Sequence, residues 1–360
     1  MVKSFPTSAT PRSAREVTIS LFDHDKSAER LPVSLVTGFL GSGKTTLINR
    51  LLRHPGMADS AVIVNEFGEV GLDHLLYEAV RGEVVVMSSG CVCCTMRSDL
   101  EGTLRGLLAR RDRGEVPAFR RALVETTGLA DPAPIVQLLL NNPLLSHFVR
   151  LDAIVATVDA IHGDRQLDAH SEAVKQAAIA DRLLLTKIDL VEPDAVSGLR
   201  VRLERLNPGA RLYDVSHGEI APDRLFGAAL FDPQRKTADV RGWLNAQAYD
   251  DDRADGEHGH DAGAGRHDGL IRAFCLAYDE PLDWLVVQRW LARLRRAHGE
   301  NLLRVKGILN LVGERAPVAI HGVHHVFHPP VLLSAWPDAD RRSRIVFITR
   351  GIDRAEIEAK

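Results

Sequence analysis

Gly38-Phe39-Leu40-Gly41-Ser42-Gly43-Lys44-Thr45 carries the most specific chemistry in this chain. It fits G-x-x-x-x-G-K-[ST], follows the apolar LPVSLVT and runs into TTLINRLL, whose apolar residues have helical spacing. Glycines let main-chain N–H groups close around phosphate oxygens, where a Cβ blocks the approach or forbids the dihedrals. The following helix N-terminus adds partial positive charge. In that setting Lys44 reaches the β and γ phosphates and the Thr45 hydroxyl ligates Mg²⁺. The candidate nucleotide contacts are Gly38, Gly41, Ser42, Gly43, Lys44, Thr45 and Thr46, with Lys44 also a catalytic candidate.

A phosphate cradle does not choose the base, but Thr186-Lys187-Ile188-Asp189, ending the strand-like DRLLL, supplies a candidate reader. In a [N/T]-K-x-D string the carboxylate accepts from guanine N1–H and N2–H while the lysine stem lies over the base. Adenine offers no such pair of donors, and a carboxylate left unpaired discriminates against it. Order and distance from the cradle favour GTP, read by Lys187 and Asp189. Glu125 closes the strand-like RRALVE beside the cradle. A carboxylate there holds Mg²⁺ through water or orients the attacking water, which makes Glu125 the second catalytic candidate. Asp159 ends the next strand in the same way, without an assigned role.

Ser89-Gly90-Cys91-Val92-Cys93-Cys94-Thr95 holds a second chemistry. It lies between the strand-like VVVM and the helix-like MRSDLEGTLRGLLARR. Thiols at a helix N-terminus favour the thiolate, which binds soft or borderline metals, with Zn²⁺ the default. Structural zinc sites use a second cysteine pair that is missing here, so an incomplete ligand set points to exchange. Further ligands can come from Asn65-Glu66-Phe67-Gly68-Glu69, placed as a first switch, which joins nucleotide state to metal geometry. Three buried or redox-active cysteines are the alternative. His258, His260 and His267 either capture Zn²⁺ weakly or are simply solvated. His321, His324, His325 and His328 are expected at sheet-surface positions, and Cys275 in the core.

These residues need a scaffold, and residues 31–235 supply its pattern: short apolar runs alternate with longer amphipathic ones, as in a mostly parallel sheet covered by helices. The expected fold is α/β, a P-loop NTPase followed by a small α+β domain. Residues 1–30 read as a flexible extension and 236–268 as an acidic, histidine-bearing linker. IRAFCLA, PLDWLVVQRWLARLRRAHG, LLRVKGILNLVG, VAIHGVHHVF and RIVFITR make up the second domain, 269–355. The 45 basic and 48 acidic residues, spread along 360 positions, leave no electrostatic footprint for nucleic acid or an anionic membrane. No apolar run has the length of a signal peptide or a bilayer span. Three of the four cysteines crowd into positions 91–94, which suits a metal or redox site in a cytoplasmic protein. Oligomeric state leaves no signal.

In chain order, TGFLGSGKTTLINRLL resembles the P-loop of the CobW-like family of P-loop GTPases, VNEFGEVGLD its switch region and GCVCC its C-x-C-C metal motif. ETTGLADP resembles its second acidic motif, LLLTKIDL its base-reading motif, and LLRVKGILNL with RIVFITRG its C-terminal domain, over residues 31–355 in all. That group comprises zinc metallochaperones, cobalamin-pathway proteins and nitrile hydratase activators. The resemblance implies GTP hydrolysis with Mg²⁺, coupled to delivering Zn²⁺ to a client protein. It implies Cys93 as the foremost metal ligand, with Cys91, Cys94 and Glu69 as neighbours. Thr186 stands where many relatives carry Asn, at the expected cost of a hydrogen bond to the loop. Open alternatives are a GTPase inserting cobalt or iron, a nucleotide-regulated zinc buffer or thiol redox protein, and an ATP-dependent small-molecule kinase.

Overall fold

The computed structural model describes residues 30–67, 84–89, 95–227, 270–333 and 335–358. The first sheet is built from β1 (Leu31–Gly38), β2 (Ser60–Phe67), β3 (Val84–Ser89), β4 (Arg121–Glu125), β5 (Val149–Asp159), β6 (Arg182–Thr186) and β7 (Arg211–Val215). All pairs are parallel, in the order β3-β2-β4-β1-β5-β6-β7. Successive strand residues point to opposite faces. Val33, Leu35, Ile63 and Val124 therefore join one core, and Val36, Val62, Val64 and Leu123 the other.

Helix α1 (Lys44–Arg53) packs Leu47, Ile48, Leu51 and Leu52 on one face. The opposite face takes α2 (Thr95–Asp112) and α3 (Ala133–Asn141). Helices α4 (Gly163–Ala169), α5 (Ser171–Ile179) and α6 (Pro193–Leu206) cover the β5 and β6 side, and α7 (Pro222–Leu225) follows β7. Sequence pattern alone does not predict α4, α5 or β7. HGDRQLDAHSEAVKQAAIA looks too polar, yet Leu167, Val174 and Ala177 suffice to seat it.

The second sheet is antiparallel. It contains β8 (Ile271–Tyr278), β9 (Leu302–Leu309), β10 (Val318–Val323), β11 (Val326–Phe327), β12 (Val331–Leu332) and β13 (Ser343–Arg350), ordered β11-β10-β9-β13-β8 with β12 on β10. One face is covered by α8 (Trp284–His298), which buries Val287, Leu291 and Leu294 against Phe274 and Phe347. The Asp283 carboxylate caps this helix by accepting from the Leu285 and Val286 amides. A short α9 (Arg354–Glu358) ends the described chain.

The other face turns to the first sheet's helices. Leu303, Val323, Val326 and Ile348 share a core with Ile135, Leu139, Ala178 and Ile179. In the same seam Asp181 accepts from the Ile154 amide at 2.9 Å, from Arg304 Nη2 at 2.7 Å and from Lys306 Nζ at 2.6 Å. This arrangement corrects the expected histidine placement. His321 and His324 are buried because their face packs on protein rather than water, whereas His325 is exposed. Cys275 is buried, as expected of a core position. The segment expected as linker, 236–268, lies outside the described residues, as do 1–29.

Candidate functional site

The loop between β1 and α1 is shaped by its glycines. Gly38, Gly41 and Gly43 take φ of 139°, 70° and 93°. A Cβ on Gly38 would lie 2.3 Å from Thr157 Oγ1 and 2.4 Å from the Thr157 carbonyl oxygen, so the backbone itself excludes any other residue. The buried Lys44 donates from Nζ to the Gly38 and Phe39 carbonyls at 2.9 and 3.1 Å, which keeps its ammonium at the loop. The Ser42 hydroxyl bonds Thr157 Oγ1 at 2.6 Å and ties the loop to β5. Thr186 Oγ1 donates its one proton to the Ser42 carbonyl at 2.8 Å, with the Val158 carbonyl as the alternative acceptor at 3.2 Å. The expected loss of a loop hydrogen bond at position 186 is thereby corrected: the shorter hydroxyl reaches the loop because β6 runs close beside it. Thr46 stands exposed at the start of α1.

Glu125 ends β4 directly opposite Val36 of β1. It is buried, and Thr45 Oγ1 donates to its Oε1 at 3.3 Å. The hydroxyl and carboxylate expected around Mg²⁺ are thus neighbours, an oxygen donor set that suits a hard divalent cation. Beyond Glu125, the Thr126 amide donates to Val36 O at 3.0 Å and its hydroxyl to Thr37 Oγ1 at 2.8 Å. Gly128 then passes so close to the cradle that a Cβ on it would sit 2.5 Å from the Leu40 amide nitrogen. That contact accounts for the glycine in ETTG.

On the far side of the cradle, Lys187 has φ 58° and donates from Nζ to Asp159 Oδ2 at 2.7 Å. Asp159 is buried and also accepts from the Ile161 amide at 2.7 Å. Sequence reasoning left Asp159 without a role; the structure makes it the anchor of Lys187. Asp189 sits in a single 3₁₀ turn, Ile188–Leu190, with His217 Nε2 3.9 Å from its Oδ2. His217 belongs to a loop, Ser216-His217-Gly218, that sequence reasoning missed. It follows β7, and a Cβ on Gly218 would lie 3.0 Å from the Thr46 carbonyl. Its only mark in the sequence is the glycine of Ser-His-Gly, which takes a positive φ of 74°.

Cys91, Cys93, Cys94 and Glu69 lie outside the described residues. The described backbone pairs Phe67 of β2 with Ser89 of β3, so the chain enters positions 68 and 90 from neighbouring strand ends. Val64 of β2 in turn pairs with Glu125. Among the described residues, no group of three or more His, Cys, Asp or Glu gathers as a metal site, and no helix is long and apolar enough to cross a membrane.

Comparison with known proteins matches residues 32–214 to the CobW/HypB/UreG nucleotide-binding domain and residues 271–360 to the cobalamin synthesis protein cobW C-terminal domain. The zinc chaperone YjiA of Escherichia coli is 33% identical over 329 residues, covering 91% of this chain and 97% of that protein. The zinc chaperone CobW of Pseudomonas aeruginosa is 29% identical over 366 residues, with 92% and 91% covered. The crystal structure of Zn(II)-bound YjiA GTPase from E. coli matches with a TM-score of 0.68 at 30% identity, over 92% of this chain and 97% of that one.

Proposed function

The chain belongs to the CobW/HypB/UreG family of P-loop GTPases, and from that premise we propose that it hydrolyses GTP and uses the cycle to hold Zn²⁺ and release it to a client protein. The observation that supports this reading best is the strand order. β3, β2, β4 and β1 are consecutive, so the strand ends leading to Cys91 and Glu69, the Glu125 carboxylate and the phosphate cradle share one stretch of the sheet's carboxyl edge.

In this reading Gly38, Gly41, Ser42 and Gly43 wrap the phosphates and Lys44 supplies countercharge to the β and γ groups. Thr45 holds Mg²⁺ with Glu125 behind it; when bound, that ion neutralises charge on the phosphate oxygens. Glu125 acts there through a water, either one that ligates the ion or the one that attacks. Asp189 accepts from guanine while Lys187, fixed by Asp159, lies over the base, and Ser216 to Gly218 close that side of the pocket. Zn²⁺ is the cargo, held by Cys93 with Cys91, Cys94 and Glu69. The switch around Glu66 and Glu69 is ordered by bound GTP and Mg²⁺, and hydrolysis relaxes it and lowers metal affinity, so that a docked client with better ligands takes the ion. We assign residues 31–235 to the GTPase unit, 236–268 to a linker and 269–355 to the second domain. The relatives named zinc chaperones support Zn²⁺ over other cargoes.

The test is GTP turnover with and without Zn²⁺, alongside zinc stoichiometry, in wild type and Cys93→Ala. The variant is expected to bind less Zn²⁺ with unchanged nucleotide affinity. Unchanged zinc stoichiometry removes the thiolate site, and tighter Co²⁺ than Zn²⁺ retention in competition turns the reading to cobalt insertion.

A further inference from the structure

The segment after Glu125 is held from its outer side by one buried amide. Gln176 of α5 is 1% exposed, and its Nε2 donates to the Gly128 carbonyl at 3.1 Å and the Ala130 carbonyl at 3.0 Å. Its Oε1 has no partner, an unfavourable state for a buried acceptor. A leucine or methionine would fill this volume without that cost, so packing alone does not account for a glutamine here. What the amide does is fix two carbonyls of the loop that presses on Leu40 of the cradle and begins at Glu125.

The neighbouring residue extends the hold. Lys175 Nζ donates to Asp131 Oδ2 at 2.8 Å, and Asp131 Oδ1 accepts from the Ala133 amide at 2.9 Å, at the first residue of α3. Both helices that flank this loop carry the second sheet. Ala178 and Ile179 of α5 share a core with Leu303 of β9, and Ile135 and Leu139 of α3 share it with Val323 and Val326 of the β10–β11 hairpin. His324, at the tip of that hairpin, is buried and feels the Asp131 and Lys175 charges.

We propose that Gln176 is a positioning residue for GTP turnover: it clamps the Glu125-to-Asp131 loop onto α5, so that the seating of the C-terminal domain on α3 and α5 sets how well Glu125 is aligned. The clamp touches neither phosphate nor base, so its loss acts on the chemical step rather than on binding. This inference rests on the GTPase reading above.

The experiment uses the full chain and compares wild type, Gln176→Leu, Val326→Ala and the double variant for GTP affinity, kcat, KM and melting temperature. Q176L is expected to lower kcat roughly 10- to 100-fold with KM and guanine-nucleotide affinity within about threefold of wild type. Hydrogen exchange of residues 126–132 is expected to quicken while β1 and β5 stay protected. V326A is expected to lower kcat in the wild-type background and to add nothing in Q176L. Equal kcat in Q176L and wild type overturns the clamp. Independent effects of Q176L and V326A overturn its link to the C-terminal domain. If Q176L does not fold, Gln176→Met carries the same comparison. Absence of turnover in wild type condemns the GTPase reading instead, which separates the two failures.

Discussion

At the carboxyl edge of the parallel sheet, Ser42, Thr45, Thr126 and Thr186 are held by hydroxyl bonds of 2.6 to 3.3 Å to oxygens of neighbouring strands and of the cradle loop. At the seam between the sheets, Asp181 instead faces two buried cations, Arg304 and Lys306, and Arg304 keeps Nε and Nη1 without partners. In the proposed function the first region frames a charged nucleotide that arrives and leaves, and most of these bonds are between uncharged groups that stay paired when it departs. The second region carries its own charge whether or not a ligand is present, in a place where water cannot relieve an imbalance. Changes at the cradle should therefore alter chemistry with little loss of fold, and changes at the seam should do the reverse.

The largest effect belongs to the seam. Asp181→Ala strands Arg304 and Lys306 in the interior, and breaking a buried pair from one side costs about 3–5 kcal/mol. Urea unfolding of the full chain is expected to show that loss. A shift below 1 kcal/mol would mean the cations find other acceptors and the contrast fails.

Next comes Lys44→Ala. Removing the countercharge aimed at the transferring phosphate is expected to cut kcat by roughly 10²–10³. The melting temperature should stay near that of wild type, because Lys44 Nζ bonds carbonyls of the loop itself, Gly38 and Phe39, rather than a distant element of the core. A collapse of the fold would place Lys44 with Asp181 rather than opposite it.

A smaller effect sharpens the nucleotide side. Asp189→Asn replaces an acceptor pair with a mixed amide, and the preference for guanine over adenine is expected to fall by about 1–3 kcal/mol. Calorimetry with GDP and ADP checks it, and an unchanged ratio would remove Asp189 as the reader.

The two regions also differed in how far the sequence disclosed them. The cradle was legible because Gly38 to Thr45 are consecutive and their glycines, lysine and threonine stand at the fixed spacing of a phosphate-binding loop. Glu125 and Asp189 followed because strand ends in an alternating α/β pattern meet at one edge. Bonds between those strand ends were not legible. Lys187 meets Asp159 across 28 positions and Thr186 meets Ser42 across 144, so each needs the strand order first. The seam left no trace at all. In LLRVKGIL the charged Arg304 and Lys306 alternate with apolar residues, as on a half-solvated strand, and their carboxylate lies 123 and 125 positions away. His321 was misjudged for the same reason, since a polar residue on a strand reads as surface unless a second layer is known to cover it.

The finest comparison is in pH. Asp181 is ionised well below the ordinary carboxylate range: burial alone would raise it, but Arg304 and Lys306 outweigh that effect. Lys306 is lowered to about 8, first by burial, with Arg304 and Arg182 acting the same way and Asp181 opposing. His321 is held well below its ordinary value by burial and by the two cations, so it stays neutral above pH 8. Between pH 8 and the ordinary lysine value of 10.5, the unfolded chain therefore binds a proton at Lys306 that the folded chain does not. The Lys306 contribution to unfolding free energy thus rises with pH across that window, by at most about 1.4 kcal/mol per unit. Lys306→Met removes the site, so the wild-type-minus-variant difference in urea stability should slope upward from pH 8 to 10. It should be flat from pH 6 to 7, where both states hold the proton. Thr186 carries no titrating proton in this range, so the same pH series on Thr186→Val should run parallel to wild type. A parallel course for K306M as well would mean that the folded and unfolded chains hold the Lys306 proton equally, and that burial in the seam does not act on that charge.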